Sequence, residues 1–155
     1  MQIVIDTREQ SPFTFEGQHY TDTYTENGTL QIGDYSLAGL EHLVAVERKS
    51  LPDLVQCLGR ERDRFEREIV RGKGLDFFAV VCEGSWRDIA NGNYRSKLPA
   101  HSAAQSVASF MARTRTPFFF ADSRRAAEYA TWSMLKQYLA GKQKEYKAIS
   151  QSIVW

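Results

Sequence analysis

The sequence has little of several features that would place a chain outside the ordinary globular class. It has two cysteines, Cys57 and Cys82, whose positions give neither a disulfide framework nor a metal-type spacing. No run of about 18 apolar residues indicates a membrane span, and no basic and then apolar leader follows Met1. We therefore expect a protein that stays inside the cell, in the cytoplasm or nucleoid or, in a eukaryote, the nucleus, without a membrane partner.

An excess of charge of one sign is also absent, because 20 basic residues oppose 19 acidic ones. Any contact with DNA must therefore come from local patches. Internal repeats, low-complexity stretches and linkers are absent as well. A chain of 155 residues then predicts one domain with a real core. We expect this domain to span residues 1–140, followed by a C-terminal tail over 141–155 that is loosely docked or frayed.

Apolar patterns along the chain predict alternating strands and helices. Strands are predicted over residues 2–6, 29–32, 35–37, 43–49, 76–82 and 117–121. Helices are predicted over 51–71, 100–113 and 123–139, with Ser50 capping the first and Ser123 the last. Residues 84–92 are predicted to be a loop with at most one helical turn. This order predicts the α/β class, with three α/β/α layers around a mixed sheet.

The stretch from Val44 to Lys49 departs from the pattern of a buried strand. Side chains two residues apart in a strand share a face, so Glu47 and Lys49 project together while Arg48 points the opposite way. Burying a carboxylate and an ammonium where valine would suit costs free energy, and such departures occur mainly at functional sites. A structural salt bridge at the strand end explains this pair equally well.

Asp34 lies on the preceding hairpin arm, directly after Gly33. A hairpin between the two strands can place Asp34 and Glu47 side by side, with Lys49 in the same cleft. Mg²⁺ is usually held by one or two carboxylates, with water and substrate phosphate completing its octahedron. The pattern therefore indicates a site for Mg²⁺, with Mn²⁺ as a substitute, that activates water against a phosphodiester.

These residues resemble the XPF family of structure-specific nucleases. Gly33-Asp34, Glu47-Arg48-Lys49 and Asp53 reproduce that family's Gly-Asp, Glu-Arg-Lys, three residues, Asp signature. Asp6-Thr7-Arg8-Glu9 is similar to its Asp-x-Arg-Glu element, and Gly59-Arg60 to its Gly-Arg segment. The resemblance covers roughly residues 1–139 and implies a restriction-endonuclease-like fold and metal-dependent hydrolysis of branched or otherwise structured DNA, in repair or recombination.

The resemblance also implies roles for individual residues. Asp6, Asp34 and Glu47 would line the metal site, with the main-chain carbonyl of Arg48 as a further ligand. Lys49 would orient or deprotonate the attacking water. The catalytic set would be completed by Arg48, Arg8 and Asp53. Capping of its own helix explains Asp53 without catalysis, and for Glu9 the sequence favours neither a supporting position nor a solvent-facing one.

Two basic segments are candidates for DNA binding. Residues 59–73 are rich in arginine, which makes Arg60 and Arg64 candidate phosphate contacts, although a solvated helix face with i,i+4 ion pairs is an equal alternative. Arg95 and Lys97 lie in an aromatic and basic loop that could contact phosphates or stack on bases. Ordinary anchoring of that loop is the alternative.

XPF-type enzymes usually continue into a tandem helix-hairpin-helix domain, and none follows within these 155 residues. We therefore expect a homodimer, or a partner protein that supplies DNA-binding surface. The apolar side chains of the predicted helix over 123–139, and the tail to Trp155, are the expected surface for self-association. Two alternatives to the enzyme are a catalytically silent DNA-binding or scaffolding module and a structural α/β domain whose charges merely pair.

Overall fold

A six-stranded mixed sheet lies at the centre of the computed structural model, which describes residues 1–153. The strands are β1 (Gln2–Asp6), β2 (Tyr24–Gly28), β3 (Tyr35–Leu37), β4 (Val44–Lys49), β5 (Phe77–Cys82) and β6 (Phe118–Phe120). Their order in the sheet is β2-β1-β3-β4-β5-β6. Strand β3 is antiparallel to both β1 and β4, and the other neighbouring pairs are parallel.

Helices cover both faces of this sheet. They are α1 (Leu51–Leu58), α2 (Arg62–Gly72), α3 (Trp86–Asn91), α4 (Ala100–Thr114) and α5 (Arg124–Ser152), with a single 3-10 turn at Gln18–Tyr20. Side chains of α1 to α4 form one buried cluster with one face of the sheet. Side chains of α5 and of the segment after β1 form a second cluster on the other face. The predicted α/β/α architecture is therefore confirmed.

Alternation along β4 decides which side chains face which layer. Ala45 packs in the cluster under α1 and α2, whereas Val44 and Val46 pack in the cluster under α5. The same alternation carries Glu47 and Lys49 to the face of α1 and α2 and Arg48 to the face of α5. The charged side chains at the end of β4 therefore lie on both faces of the sheet.

The predicted strand over residues 29–32 is wrong. The second strand is Tyr24–Gly28, which pairs in parallel with β1 at the edge of the sheet. Its first four side chains are exposed, so no apolar alternation marks it in the sequence. Leu30 instead donates its backbone N–H to the Asp6 carboxylate at 2.8 Å, a contact that takes residues 29–32 away from strand pairing.

The single helix predicted over 51–71 is also wrong, because the chain turns between α1 and α2. Ser50 caps α1 as predicted, by accepting the Asp53 N–H at 3.2 Å. At Gly59 the backbone leaves the helical region, with φ −115° and ψ −100°. The Glu61 N–H donates back to the Gln56 carbonyl at 2.9 Å, which closes the turn. Helix α2 therefore begins at Arg62 in a new direction.

Two further segments are more helical than predicted. Residues 86–91 form α3, whose N-terminus is capped by a capping box between Ser85 and Asp88. The helix predicted to end at 139 continues to Ser152, with nearly all its side chains beyond residue 140 exposed. The last part of the predicted tail, Val154 and Trp155, lies outside the described residues. Within residues 1–153, no helix is both long and apolar enough to cross a membrane.

Candidate active site

A cleft of about 510 Å³ opens where β1 and β4 end, beside α1 and α2. It gathers most of the residues that the sequence singled out, although they are far apart along the chain. The predicted residues that line it are Asp6, Arg8, Asp34, Glu47, Arg48, Lys49, Asp53 and Arg64. The fold therefore brings the predicted acids, the lysine and three of the predicted arginines to one place.

Gly33 fixes the position of Asp34. It adopts φ +76°, and a Cβ at this position would lie 2.8 Å from the Ala45 Cβ, so a side chain would be both strained and in collision. The backbone of Asp34 donates its N–H to the Val46 carbonyl at 2.9 Å. Asp34 Oδ2 accepts the Arg48 N–H at 2.8 Å. The carboxylate is therefore held against β4, next to Glu47.

Glu47 and Lys49 share a face of β4, as the sequence predicts. The Lys49 Nζ lies 3.0 Å from Glu47 Oε1, and both side chains are nearly enclosed, with about a tenth of each exposed (11% for Glu47 and 12% for Lys49). Two groups from α2 complete the surroundings of the ammonium. These are Glu68, whose Oε2 lies 3.8 Å from Nζ, and the ring of Phe65, whose centroid lies 5.6 Å away.

Burial makes the two carboxylates of the cleft reluctant to ionise. Burial, and then the charge of Glu47, raises the pKa of Asp34 to about 8. Burial also raises the pKa of Glu47, although Lys49 acts in the opposite direction. Burial opposes the charge on Lys49, but the carboxylates around it, Glu47 foremost, raise its pKa above the usual value. The site thus holds an ammonium and two carboxylates that an added cation would help to ionise.

The donor set of Asp34 and Glu47 fits a hard cation such as Mg²⁺. Apart from the Arg48 N–H on Asp34 and the ammonium on Glu47, the described residues give neither carboxylate a hydrogen-bond donor. The N–H and C=O of a strand residue point to the same side of the strand, so the Arg48 carbonyl faces toward Asp34 as well. Within residues 1–153, however, no three acidic, histidine or cysteine side chains lie together in a metal-holding group.

Asp6, the third acid that the sequence proposed, is engaged elsewhere. Its carboxylate accepts two hydrogen bonds from the Arg8 guanidinium, at 2.8 and 2.9 Å, and one from the Leu30 N–H at 2.8 Å. The Arg8 hydrogen bond, against an opposing effect of burial, lowers the pKa of Asp6 to about 2. Asp6 therefore holds Arg8, whose side chain is 70% exposed, at the mouth of the cleft.

The Arg48 side chain lies on the opposite face from Glu47. Its Nε donates to Glu83 at 2.8 Å, and its Nη1 donates to Glu9 at 3.2 Å. Glu83 also accepts a hydrogen bond from Arg124 at the start of α5, at 2.9 Å. Glu9, for which the sequence favours neither a supporting nor a solvent-facing position, is nearly buried and serves this network. Arg48 thus joins the segment after β1 to β5 and α5 behind the cleft.

The remaining predicted residues divide between the cleft and the outside. Asp53 lies in the first turn of α1, with an exposed side chain on the cleft wall. Arg64 lies on the cleft rim and makes a long ion pair with Glu61, at 3.4 Å. The residues outside the cleft lining are Arg60, Arg95 and Lys97, all of which are exposed. Their loop neighbour Tyr94 donates its hydroxyl to the Leu98 carbonyl at 2.7 Å, which supports loop anchoring.

Sequence reasoning missed Glu68 and Arg71, which also line the cleft. Both lie on α2, and their direction depends on the turn between α1 and α2. A continuous helix would carry them along a different axis. The Gly59-Arg60 step is the only local signal of that turn in the sequence. The angle between α1 and α2 is set by packing.

Comparison with known proteins supports this architecture. XPF from Aeropyrum pernix has a TM-score of 0.70 to this chain at 17% identity, over 89% of this chain and 61% of that chain. XPF from Aeropyrum pernix in complex with DNA has a TM-score of 0.67 at 18% identity, over 90% of this chain and 66% of that chain. This chain thus spans about two thirds or less of those chains, and the likeness shows the shared fold.

The sequence gives the family assignment. A search of curated proteins found no match. Residues 5–132, which include every element from the end of β1 to the first third of α5, match the ERCC4 domain family. The predicted kinship with XPF-type nucleases is therefore confirmed, and the chain belongs to the ERCC4 domain family.

Proposed function

We propose that this chain is a divalent-metal-dependent endonuclease that hydrolyses phosphodiester bonds in branched or otherwise structured DNA, during repair or recombination. The observation that carries the proposal is the meeting of Asp34, Glu47 and Lys49 in one cleft, which is costly for stability and suited to phosphodiester chemistry. Membership of the ERCC4 family and the DNA complex of the similar Aeropyrum pernix XPF support it.

The carboxylates of Asp34 and Glu47, with the Arg48 carbonyl, would hold Mg²⁺ or, in its place, Mn²⁺. When bound there, the ion would lower the pKa of its water and offset charge on the scissile phosphate. Asp6 would join this ligand set only by giving up its hydrogen bonds to Arg8. In the geometry described above, Asp6 instead holds Arg8 where DNA would enter.

Lys49 acts through its charge in this proposal. Because the carboxylates around it raise its pKa, the ammonium stays protonated at neutral pH and is a poor base. Its N–H groups can donate to the attacking water or to a non-bridging oxygen of the phosphate, and its charge stabilises the transition state. Of the two roles that the sequence allowed, orienting the water agrees better with this geometry than deprotonating it.

Basic side chains around the cleft would contact the DNA backbone. Arg8, Arg64 and Arg71 lie at its mouth and rim, where phosphates adjoining the scissile one would pass. Arg60 is exposed in the turn between α1 and α2, outside the cleft lining. Arg95 and Lys97, outside the cleft, would contribute only to a longer DNA path.

The expected surface for self-association is corrected by the structure. Ala127, Ala130, Trp132 and Leu135 of α5 are buried against the protein's own sheet, so the abundance of apolar residues there serves the core. Tyr129 remains half exposed. The exposed apolar side chains farther along α5 and at its end, Tyr146, Ile149 and Ile153, are the surface that we propose for a homodimer or for a protein partner.

A second candidate is a catalytically silent DNA-binding or scaffolding module. The observation that favours it is the engagement of Asp6 with Arg8, which leaves two acids, Asp34 and Glu47, for the cation where three were expected. Asp34 does not support the structural alternative of merely paired charges, because Lys49 contacts Glu47 and Glu68 and Asp34 has no ion pair among the described residues.

The test is a digestion panel on end-labelled flap, fork, nicked, single-stranded and duplex DNAs, with Mg²⁺ or with EDTA. We expect cleavage of at least one branched substrate with Mg²⁺ and none with EDTA. Binding of the same DNAs without cleavage in Mg²⁺ would favour the silent module. Cleavage that survives EDTA, with contaminating nucleases excluded, would contradict the metal-dependent mechanism.

A further inference from the structure

Two elements, β4 and α2, supply the groups that contact the Lys49 ammonium. Strand β4 supplies Glu47, and one turn of α2 supplies both Phe65 and Glu68, which are three residues apart and therefore on neighbouring positions of one helix face. The Phe65 side chain is fully buried and belongs to the core under the sheet, so the turn that carries Glu68 is fixed by packing. Glu68 is half-buried and lines the cleft.

The two carboxylates that face Lys49 differ in what else they can do. Glu47 is also a ligand of the cation in the function proposed above, and a divalent charge at that carboxylate would repel the ammonium 3.0 Å from it. Glu68 comes from a different element, α2, with its Oε2 3.8 Å from the Lys49 Nζ, and it is not among the ligands proposed for the cation. Glu68 can therefore keep the Lys49 ammonium in place when Glu47 binds the cation.

We propose that Glu68 is the positioning residue of Lys49, and that the turn between α1 and α2 exists in this fold to bring Glu68 and Phe65 to the end of β4. This inference rests on the proposed nuclease function and deepens it. Glu68 acts through Lys49 and contacts neither the cation nor the DNA. Its removal therefore changes the position of the ammonium and the rate of the chemical step, and leaves the binding of both ligands unaltered.

The test compares Glu68→Gln with a matched control on the same helix. Glu66→Gln also removes one ion pair of α2, the 3.0 Å contact with Arg113, which faces α4 and not the cleft. At saturating branched DNA and Mg²⁺ we expect Glu68→Gln to lower kcat by about ten- to a hundredfold, the scale of a displaced catalytic group. The Kd for DNA and the Kd for Mn²⁺ should stay within about twofold. Glu66→Gln should cleave like the wild type, and Glu68→Asp should recover part of the rate.

A readout without catalysis separates this proposal from the function on which it rests. In ¹⁵N-lysine-labelled protein with Mg²⁺ and no DNA, the Lys49 ammonium should give a slowly exchanging NMR signal, which is assigned by its loss in Lys49→Met. We expect that signal in the wild type and in Glu66→Gln, and its broadening or loss in Glu68→Gln. If the wild type cuts no DNA, the nuclease proposal fails while this signal still decides the role of Glu68.

Three results would overturn the inference. A Glu68→Gln variant with unchanged kcat would show that Glu47 alone positions the lysine. A large fall in Mn²⁺ affinity would make Glu68 a ligand of the cation. An unchanged Lys49 signal in Glu68→Gln would show that the ammonium does not depend on α2.

Discussion

Replacing Asp34 by asparagine should stabilise the protein while removing its activity. Asparagine keeps an oxygen that can accept the Arg48 N–H and has nearly the same shape, so the main change is the loss of a buried ionisable group beside Glu47. Burial and Glu47 raise the pKa of Asp34 from 3.8 to about 8. An acid whose pKa is raised by folding has no penalty below its unfolded pKa, where both states are protonated.

The penalty grows between these two pKa values. Above pH 3.8 the unfolded chain releases the Asp34 proton while the folded protein keeps it, so stability falls as the pH rises, until about pH 8. One pKa unit corresponds to about 1.36 kcal/mol, which gives an upper limit of about 4 kcal/mol at pH 7. Because the side chain is partly exposed and the titration of Asp34 depends on the charge of Glu47, we expect the variant to gain roughly 1–2 kcal/mol at pH 7.5.

Urea unfolding in EDTA at pH 5.5 and 7.5 would measure this gain, which should be larger at the higher pH. Asp122→Asn is the matched control, since Asp122 is exposed and its φ of +68° suits asparagine equally well. Mn²⁺ should raise the stability of the wild type and not that of Asp34→Asn, because a ligand that binds only the folded state stabilises it. An Asp34→Asn protein that is less stable than the wild type at pH 7.5 would refute the reasoning.

Lys49→Ala should lower kcat by about 10²-fold or more with little effect on DNA affinity, because the ammonium acts mostly in the transition state; normal cleavage at saturating DNA would contradict that role. Thr131→Val should gain about 1 kcal/mol in thermal or urea unfolding, because the Thr131 Oγ1 is buried without a hydrogen-bond partner among residues 1–153; a loss of similar size would show that a partner exists. Light scattering at micromolar concentration should give a mass above that of a monomer, and a clean 17.7 kDa monomer that cleaves DNA efficiently would contradict self-association.

The sequence predicted most of the layers and the centre of the site because these follow from short-range patterns. The alternation in Val44–Lys49 places Glu47 and Lys49 together whatever the rest of the chain does, and the structure confirms that placement at 3.0 Å. Gly33 before Asp34 marks the conformation that brings the hairpin arm against β4, and its φ of +76° confirms why glycine stands there.

The features that sequence reasoning missed depend on contacts between distant segments. Strand β2 is polar and exposed and is held by backbone pairing to β1, so no side-chain pattern marks it. The Leu30 N–H that binds the Asp6 carboxylate lies 24 residues from it along the chain. The position of Glu68 depends on the direction of α2 after the turn at Gly59, and that direction is set by the packing of Phe65 in the core.

Cleavage should depend on the carboxylates beside Lys49. The most direct measurement is the initial rate of cleavage of one branched DNA in Mg²⁺ by the wild type and by Glu47→Ala, with the fold of each checked by circular dichroism. The account predicts Mg²⁺-dependent cleavage by the wild type and none above background by a folded Glu47→Ala protein. Equal rates for the two proteins would contradict it.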